Sequence, residues 1–495
     1  MKVLTLGAEQ DVGKSCVVIT IGDKNIMFDC GMHIGYADER RFPDFTLLSK
    51  TLNLNEVLDC IIISHFHLDH CGALPYFTEV LGFDGPIYMT YLTQAVIPIL
   101  LEDYKKILEL KYKEKEIFNM SHITGCLNKI IPINMEETLK RDDGIEITPY
   151  YAGHVIGAAM FYVKYNDESV VYTGDYSTTA DKHLGPAKID TLRPNLLITE
   201  STYGSVIRDC RKIKEREFLQ VIQKTIDRGG KVLIPIFALG RAQEICLLLE
   251  NYWERMRLKT PIYFSGGLAE RATEIYKKFI SYTNQAVKDK INIRNVFEFK
   301  EIQPYNNHAL SNTESSIIFA SPAMLHSGNS LRIFKELCSD SKNSVILPGY
   351  CARGTVGDKI LNGEKKLSIL NEVVDIKIDV YKIAFSAHTD SFGTLKMIDQ
   401  CKPENVMLVH GDKKRMIILK DLIEKTFKLK VFYPVNGTLL TVPCDKKIPI
   451  KISENLLKSH VNLTKEINDV SICLKLKKDD GKFVVKDIQS FDAEK

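Results

Sequence analysis

The hydrophobic pattern of the chain predicts a repeated order of strand, loop and helix. Short apolar runs bounded by turn residues are typical of buried strands, and longer runs with polar residues at helical spacing are typical of helices. Helices are predicted at residues 74–81 and 93–110. Strands are predicted at residues 2–7, 15–21, 25–28, 58–63, 145–151, 169–173, 196–200 and 405–410. An α/β protein is therefore expected.

A second series of strands lies in the middle of the chain. Its apolar runs are at residues 231–237, 261–265, 316–320 and 344–349. Each run is followed by small residues and a helical or loop segment, an order typical of a parallel α/β domain. We place this domain at residues 207–381, beginning with a basic and predicted helical segment at 208–216. It interrupts a first domain of residues 1–206 and 382–445, and a short candidate partner-binding segment, 446–495, follows.

Composition narrows the class of protein. A chain of 495 residues is too long for one core, and 45% hydrophobic with 26% charged residues is typical of folded globular domains. The net charge of +3 does not by itself indicate a nucleic-acid partner. The 12 cysteines include no C-x-x-C pair, and the chain shows neither a secretory leader nor an apolar run of membrane length. An intracellular protein without a membrane anchor is expected.

The strongest chemical signal is the segment 64–70, Ser-His-Phe-His-Leu-Asp-His, directly behind the apolar run 58–63. Imidazole and carboxylate groups are ligands of Zn²⁺. Four of them, His65, His67, Asp69 and His70, are close enough in sequence to present two groups of ligands. A polar surface loop is the alternative, but scattered surface His residues seldom follow a buried strand at this spacing. The segment therefore predicts a metal site.

Three further candidate ligands each follow a predicted strand. They are His154, Asp175 and His410. A Gly precedes His154 and Asp175, which lets the backbone approach a metal closely. A single His is more often structural than a ligand, but repetition of the same strand-end context favours one shared site. Asp29 and Glu200 also end strands, and the alternative role for both is that of a turn or capping residue.

The order His-x-His-x-Asp-His, single His, single Asp resembles the metallo-β-lactamase family. The long insertion before His388 and His410 is similar to that of its β-CASP branch, whose members are nucleases. This resemblance implies a metallo-β-lactamase αββα sandwich with an inserted parallel α/β (β-CASP) domain. It also implies two Zn²⁺ ions. One would be held by His65, His67 and His154, the other by Asp69, His70 and His410, and Asp175 would bridge them.

The resemblance also implies roles for the remaining candidates. Asp29 would orient the metal-binding loop, and Glu200, His388 and His410 correspond to three β-CASP motifs, the last of which carries His in RNA-directed members. A leaving 3′-oxygen requires a proton, and the Glu200 carboxylate would raise the pKa of His388, so His388 is the candidate general acid. Hydroxide activated by two metals is expected to leave a 5′-phosphate and a 3′-hydroxyl. An extra structural His is the alternative for His388.

Candidate contacts with RNA phosphates lie at strand ends of the inserted domain. Arg241 opens a predicted helix after residues 231–237, and Arg353 and Thr355 follow residues 344–349. Helix amides and a guanidinium can bind a phosphate. Ordinary turns are the alternative, because Gly-rich strand ends are common without a ligand.

Motifs outside the site resemble the RNA-cleaving subunits of complexes that process the 3′ ends of nuclear transcripts. The motifs are residues 6–13, 29–33, 40–45, 234–244 and 348–357. The resemblance implies single-stranded RNA as substrate, and as partners a catalytically inactive β-CASP sister subunit and other subunits of a large complex. It implies a nuclear location, with the cytoplasm as an additional one. Small nuclear RNA processing and transcription attenuation are favoured.

Three other functions are alternatives. A pre-mRNA 3′-end cleavage subunit of the polyadenylation machinery shares most of these motifs. A small-molecule metallohydrolase shares the metal loop but requires neither the insertion nor the pair of Glu200 and His388. A non-catalytic interaction subunit is disfavoured because such proteins lose metal ligands, and here the set is complete.

Overall fold

The computed structural model describes residues 1–8, 10–36, 38–49, 53–112, 117–306, 308–349, 351, 354–444, 472–479 and 482–490. The chain divides into two compact units, Met1–Cys444 and Asp445–Lys495. The described part of the second unit is an antiparallel hairpin of the strands Ile472–Asp479 and Lys482–Ser490. The binding of a partner by this segment stays a prediction.

Two seven-stranded sheets form the centre of the first unit. In spatial order, the first sheet contains Leu439–Thr441, Lys2–Gly7, Cys16–Ile21, Lys24–Phe28, Cys60–Ile62, Ile87–Thr90 and Ile130–Ile133. The second contains Lys430–Phe432, Asn405–Val409, Leu196–Glu200, Glu168–Tyr172, Ala159–Tyr165, Glu146–Tyr151 and Leu139–Lys140. Apolar side chains of both sheets share one buried core, in which the rings of Phe28 and Tyr172 stack with centroids 4.8 Å apart.

Helices cover the other face of each sheet. The two faces of a strand show this. Ile62 belongs to the core between the sheets, whereas its neighbour Ile61 points to the opposite face and belongs to a separate buried cluster that contains helical residues such as Leu92. The helices that accompany these sheets are Leu54–Val57, Leu68–Cys71, Tyr91–Tyr112, Met120–Asn128, Ser391–Cys401 and Lys413–Phe427. The layer order is α, β, β, α, which confirms the predicted sandwich.

A six-stranded sheet is formed by the middle of the chain. Its strands in spatial order are Ile302–Pro304, Ile262–Ser265, Ile317–Ala320, Val232–Pro235, Ser344–Leu347 and Asp379–Lys382. All neighbouring pairs are parallel, as the pattern of strands and helices predicts. The helices of this region are Arg211–Asp227, Arg241–Met256, Gly267–Lys278, Gln285–Lys288, His308–Ser311, Gly328–Leu337 and Val356–Leu361. The two-stranded hairpin Lys366–Ile369 and Glu372–Asp375 completes it.

The predicted helix at 208–216 is wrong at its beginning. The helix starts at Arg211, and Cys210 before it has a non-helical backbone with ψ of 129°. The backbone N–H of Arg208 donates to Asp390 Oδ2 at 3.0 Å, so a contact with a distant part of the chain holds this residue outside the helix. Elsewhere in the described residues, no helix is long and apolar enough to cross a membrane.

The topology brings several strand ends to one edge of the sandwich. In the first sheet Phe28 pairs with Ile62 in parallel, so Asp29 and Ser64 emerge side by side. In the second sheet Glu200 pairs with Val409 in parallel. His410, the residue after Val409, therefore lies beside the end of the strand Leu196–Glu200. Because carboxyl ends of parallel strands share an edge, residues far apart in sequence meet there.

Candidate metal centre

Three imidazoles and a carboxylate form a first cluster. His65 Nε2 lies 3.0 Å from His67 Nδ1, and His154 Nε2 lies 3.2 Å from the same atom. Asp175 Oδ2 is 3.9 Å from His65 Nε2 and 3.6 Å from His154 Nε2. A single nitrogen cannot satisfy two imidazoles at once, so these nitrogens are arranged as ligands facing a common point. We call His65, His67 and His154 the first trio.

A second cluster lies on the other side of Asp175. Asp69 Oδ2 is 3.3 Å from His410 Nε2 and 3.7 Å from His70 Nε2. Asp175 reaches this cluster through both oxygens, Oδ2 at 3.4 Å from His70 Nε2 and Oδ1 at 3.4 Å from His410 Nδ1. We call Asp69, His70 and His410 the second trio. The sequence-predicted ligands are thus brought together in two groups that share Asp175.

The donor set fits divalent metal ions. Tetrahedral ligands at about 2.0–2.1 Å from a Zn²⁺ ion lie roughly 3.4 Å from one another, close to the separations within both trios. Among the described residues, His70 Nε2 and Asp175 Oδ1 are buried and have no hydrogen-bond partner. Buried polar atoms are rarely left in this state unless an ion or water satisfies them. The metallo-β-lactamase fold and this donor set together define a divalent metal site.

The second ring nitrogen of most of these imidazoles is held by the protein. The Nδ1 partners are Ser64 Oγ for His65 at 3.0 Å, Asp29 Oδ2 for His70 at 2.7 Å, the Ala387 carbonyl for His154 at 3.1 Å and Thr202 Oγ1 for His410 at 3.1 Å. Each Nδ1–H therefore donates to the protein and leaves Nε2 as the ligand atom. His67 is the exception and presents Nδ1.

Asp29 fixes the loop that carries the ligands. Its carboxylate accepts from the Ser64 N–H at 2.7 Å, the Ser64 hydroxyl at 2.8 Å and the Tyr172 hydroxyl at 2.7 Å, besides His70. The side chain is fully buried, and its backbone φ of 58° is uncommon for a residue other than Gly. Asp29 contacts a ligand rather than the metal position itself, so it acts as a positioning residue.

Glycines permit the close approach of these loops. A Cβ on Gly31 would lie 1.8 Å from the backbone oxygen of Asp69. A Cβ on Gly174, whose φ is 51°, would lie 2.4 Å from Cβ of Ser64. Any side chain at either position would displace the metal loop.

The first trio is held in the neutral state. Burial lowers the pKa of all three imidazoles because a charged ring loses its hydration there. The pKa of His67 falls to about 4, and the pKa values of His65 and His154 fall well below the ordinary 6.5. Neutral imidazoles are the form that binds a metal.

The second trio differs in its protonation. Burial would lower the pKa of His70 and His410 as well, but nearby carboxylates, that of Asp175 foremost, overcome it and raise both pKa values. Burial opposes ionisation of Asp69 and Asp175, yet the facing imidazoles lower the pKa of both carboxyl groups. Protons and metal ions therefore compete for the second trio at higher pH than for the first.

His388 and Glu200 form a pair beside the shared carboxylate. His388 Nδ1 lies 2.9 Å from Glu200 Oε2 and 3.6 Å from Asp175 Oδ2. Glu200 also accepts from the Tyr176 N–H at 2.9 Å and the Thr202 hydroxyl at 2.6 Å, so its oxygens are occupied by the protein. Burial would lower the pKa of His388, but Glu200 and then Asp175 raise it. Since Nδ1 is engaged, Nε2 is the ring nitrogen that can face a substrate.

The predicted phosphate contacts are placed differently from the ligands. Arg241 begins its helix as predicted, but its guanidinium pairs with Glu244 at 2.6 Å, and burial followed by the nearby Arg211 lowers its pKa to about 9. Thr355 caps the helix Val356–Leu361 by accepting from the Asp358 N–H at 3.2 Å. Arg353 lies outside the described residues. Binding of RNA by these residues stays a prediction.

Sequence reasoning missed four residues that contact the site. They are Ser64, Tyr172, Thr202 and Arg208, of which the last contacts the His388 loop. Ser64 and Thr202 had a local signal, because each lies within two residues of a predicted site residue. Tyr172 and Arg208 had none, since their partners are distant in sequence.

The fold and the two ligand clusters define a metallo-β-lactamase enzyme with a β-CASP insertion. Family models match this description. The Metallo-beta-lactamase superfamily matches residues 10–217, the Beta-Casp domain residues 242–360, and the Zn-dependent metallo-hydrolase RNA specificity domain residues 373–434.

Relatives identify the particular family. The chain is 53% identical to Integrator complex subunit 11 of Danio rerio over 94% of this chain and 78% of that protein. It is 52% identical to Integrator complex subunit 11 of Gallus gallus over 92% and 76%, respectively. Cleavage and polyadenylation specificity factor subunit 3-II of Arabidopsis thaliana is 48% identical over 93% and 75%. The chain belongs to the Integrator complex subunit 11 family, and it is a metal-dependent endoribonuclease.

Proposed function

We propose that the chain is a zinc-dependent endonuclease that cleaves nascent nuclear transcripts within an Integrator-type complex, including small nuclear RNA precursors and transcripts subject to attenuation. The observation that supports this most directly is the position of the His388 and Glu200 pair, 3.6 Å from the carboxylate that both ligand trios share. A metal centre and a proton donor are thereby adjacent, as hydrolysis of a phosphodiester requires.

The site residues would have separate roles in binding the metal ions and in orienting the ligands. The first trio would hold one Zn²⁺, the second trio another, and Asp175 would contact both. When bound, the two ions would activate water and neutralise charge on the phosphate oxygens. Asp29 and Thr202 would keep the His70 and His410 rings in the orientation that presents Nε2.

His388 would supply the proton for the leaving group. The oxygen of water bonds to phosphorus and one proton of that water passes to solvent. The bond between phosphorus and O3′ breaks, O3′ takes the proton from His388 Nε2, and solvent then returns a proton to His388. Glu200 holds Nδ1 and keeps the ring protonated and aimed. The products are a 5′-phosphate and a 3′-hydroxyl.

Exposure indicates the side from which the RNA reaches the centre. The side chains of His388 and Asp69 are 22% and 29% exposed, whereas those of His70 and Asp175 are nearly fully buried. A phosphodiester of a single strand would therefore enter past His388 and Asp69.

Substitution of His388 tests the assignment. We expect His388→Ala to lower cleavage of a 5′-labelled single-stranded RNA by about 10²–10⁴-fold while the bound zinc remains at two ions per chain. Cleavage is followed on denaturing gels, with the full chain in its native complex, and zinc is counted by mass spectrometry. His122→Ala, which alters a helix cap away from the site, is the matched control. Loss of zinc together with activity would instead place His388 among the ligands.

The partners and the location follow from the same proposal. We infer a nuclear protein bound to an inactive β-CASP sister subunit and to further subunits of a large complex. The motif versions at residues 40–45 and 354–357 favour the Integrator type. The 48% identity to the Arabidopsis polyadenylation factor subunit favours a second candidate, pre-mRNA 3′-end cleavage. Purification of the tagged chain from native nuclei and identification of its companions distinguishes the two, because Integrator subunits and polyadenylation factors are different sets.

A further inference from the structure

We propose that Arg208 is a positioning residue for the proton donor, a role that rests on the proposed general-acid function of His388. Arg208 lies between the strand that ends in Glu200 and the helix Arg211–Asp227. Its guanidinium donates through one terminal nitrogen to the backbone oxygen of His388 and through the other to that of Ser386 at 2.6 Å. One side chain thus holds the backbone on both sides of Ala387.

Three successive carbonyls of this loop receive hydrogen bonds from outside it. Those of Ser386 and His388 accept from Arg208, and that of Ala387 accepts from Nδ1 of the ligand His154 at 3.1 Å. The His388 backbone is therefore tied directly to a member of the first trio. Removal of the guanidinium would take away the hydrogen bonds to the Ser386 and His388 carbonyls. The bond from His154 to the Ala387 carbonyl would remain.

Arg208 also holds the end of the loop. Its backbone N–H donates to Asp390 Oδ2 at 3.0 Å, while Asp390 Oδ1 accepts from the Gly393 N–H at 2.9 Å and caps the helix Ser391–Cys401. The loop begins where the Phe385 N–H donates to the Pro348 oxygen at 3.0 Å. Arg208 therefore acts on the middle and the end of a segment whose start is fixed by the inserted sheet.

An aromatic ring supports the guanidinium. Arg208 Cζ lies 5.6 Å from the centroid of the Tyr203 ring, which is itself 6.1 Å from the centroid of the His388 ring. Arginine suits this position because its planar fork can donate to two carbonyls and stack on a ring at the same time. Lysine has no planar fork, so it would serve one of the two carbonyls at best.

A leaving-group experiment separates this role from a general effect on the fold. Hydrolysis of the normal RNA breaks the bond between phosphorus and O3′, and O3′ takes a proton from His388. In a 3′-S-phosphorothiolate substrate the bond between phosphorus and sulfur breaks, and the thiolate departs without a proton because its pKa is near 8.5. Misplacement of the proton donor should therefore slow the oxygen substrate far more than the sulfur substrate.

We expect Arg208→Met to lower cleavage of the oxygen substrate by about 100-fold and that of the sulfur substrate by less than about threefold. Arg208→Lys should recover part of the loss on the oxygen substrate. The zinc content and the thermal unfolding midpoint of each variant, in the native complex, should stay near those of the parent. Arg216→Ala removes one exposed positive charge from the following helix and serves as the matched control.

His388→Ala, measured on the same two substrates, distinguishes the role of His388 as the acid from the role of Arg208 in positioning it. If His388→Ala spares the sulfur substrate and Arg208→Met slows both substrates equally, the positioning role is overturned and the proposed acid stands. If His388→Ala itself slows both substrates equally, the acid assignment fails and the inference for Arg208 fails with it. Selective loss on the oxygen substrate in both variants supports the proposal.

Discussion

The two ligand trios are matched in geometry and opposite in protonation. The first trio consists of imidazoles alone, and burial keeps them neutral. In the second, Asp175 and Asp69 face the two imidazoles and raise their pKa values, and Asp29 adds to the effect at His70. Two adjacent sites that share one carboxylate are therefore not expected to bind a metal under the same conditions.

The same carboxylates have two effects on the second trio. They attract a divalent cation more strongly than imidazole does, and they also attract the protons that must leave before a metal binds. Metal binding by the second trio is therefore expected to depend more strongly on pH. In the first trio, the loss of hydration keeps the imidazoles neutral, which is the form that binds a metal. Asp175 belongs to both and couples them.

The largest expected effect follows from the residue that the trios share. Asp175→Asn removes the charge that faces five imidazoles, and it should lower RNA cleavage by about 10⁴-fold or more, equivalent to roughly 5.5 kcal/mol of transition-state stabilisation. Both ions should bind more weakly, as measured by zinc titration. Asp167→Asn, at an exposed turn, controls for loss of one carboxylate. Retention of activity by Asp175→Asn would show that the trios are not coupled through it.

A smaller effect should fall mainly on the second trio. Asp29→Asn keeps the shape of the side chain but removes its negative charge. The carboxylate of Asp29 orients His70 and accepts hydrogen bonds from Ser64 and Tyr172. We expect metal affinity at the second trio to fall by about 10–100-fold in calorimetric titrations. The loss at the first trio should be smaller, because Asp29 reaches it only through Ser64 and His65. Tyr172→Phe removes one of the bonds to Asp29 and should have a weaker effect. Equal weakening of both sites by Asp29→Asn would contradict the division.

The smallest expected effect concerns a single hydroxyl. Thr202 donates to Glu200 at 2.6 Å and lies 3.1 Å from His410 Nδ1, so it links the second trio to the acid pair. Thr202→Val should lower cleavage by about 10-fold, the lower range for an outer partner of a ligand. Thr202→Ser keeps the hydroxyl and should stay near the parent in the same kinetic assay. A serine variant as slow as the valine variant would show that the hydroxyl alone does not account for the effect.

Local patterns predicted most of the architecture and the ligands. The segment 64–70 follows an apolar strand, and His154, Asp175 and His410 each follow another strand. The pattern of apolar residues and the position directly after a strand were therefore sufficient to identify these ligands. The parallel sheet of the insertion was predictable for the same reason, because each of its strands is a short apolar run followed by a turn.

Contacts between distant residues left no such pattern. Arg208 looked like part of a basic helix, yet it lies before that helix and bonds to residues 386 and 388. Arg241 looked available to a phosphate, but Glu244 pairs with it. Protonation of the second trio was also beyond local reasoning, because the carboxylates that raise the pKa of His70 come from three separate segments.

Zinc content as a function of pH tests the contrast between the trios most directly. On acidification, raised pKa values mean that His70 and His410 take up protons while an ordinary His is still neutral, so the second trio should release its ion first. The first trio, whose imidazoles have lowered pKa values, should release its ion at a lower pH than the second. Two separate steps are predicted, with His410→Ala removing the step at higher pH. Release of both ions in one step, or loss of the higher step in His154→Ala instead, would contradict the account.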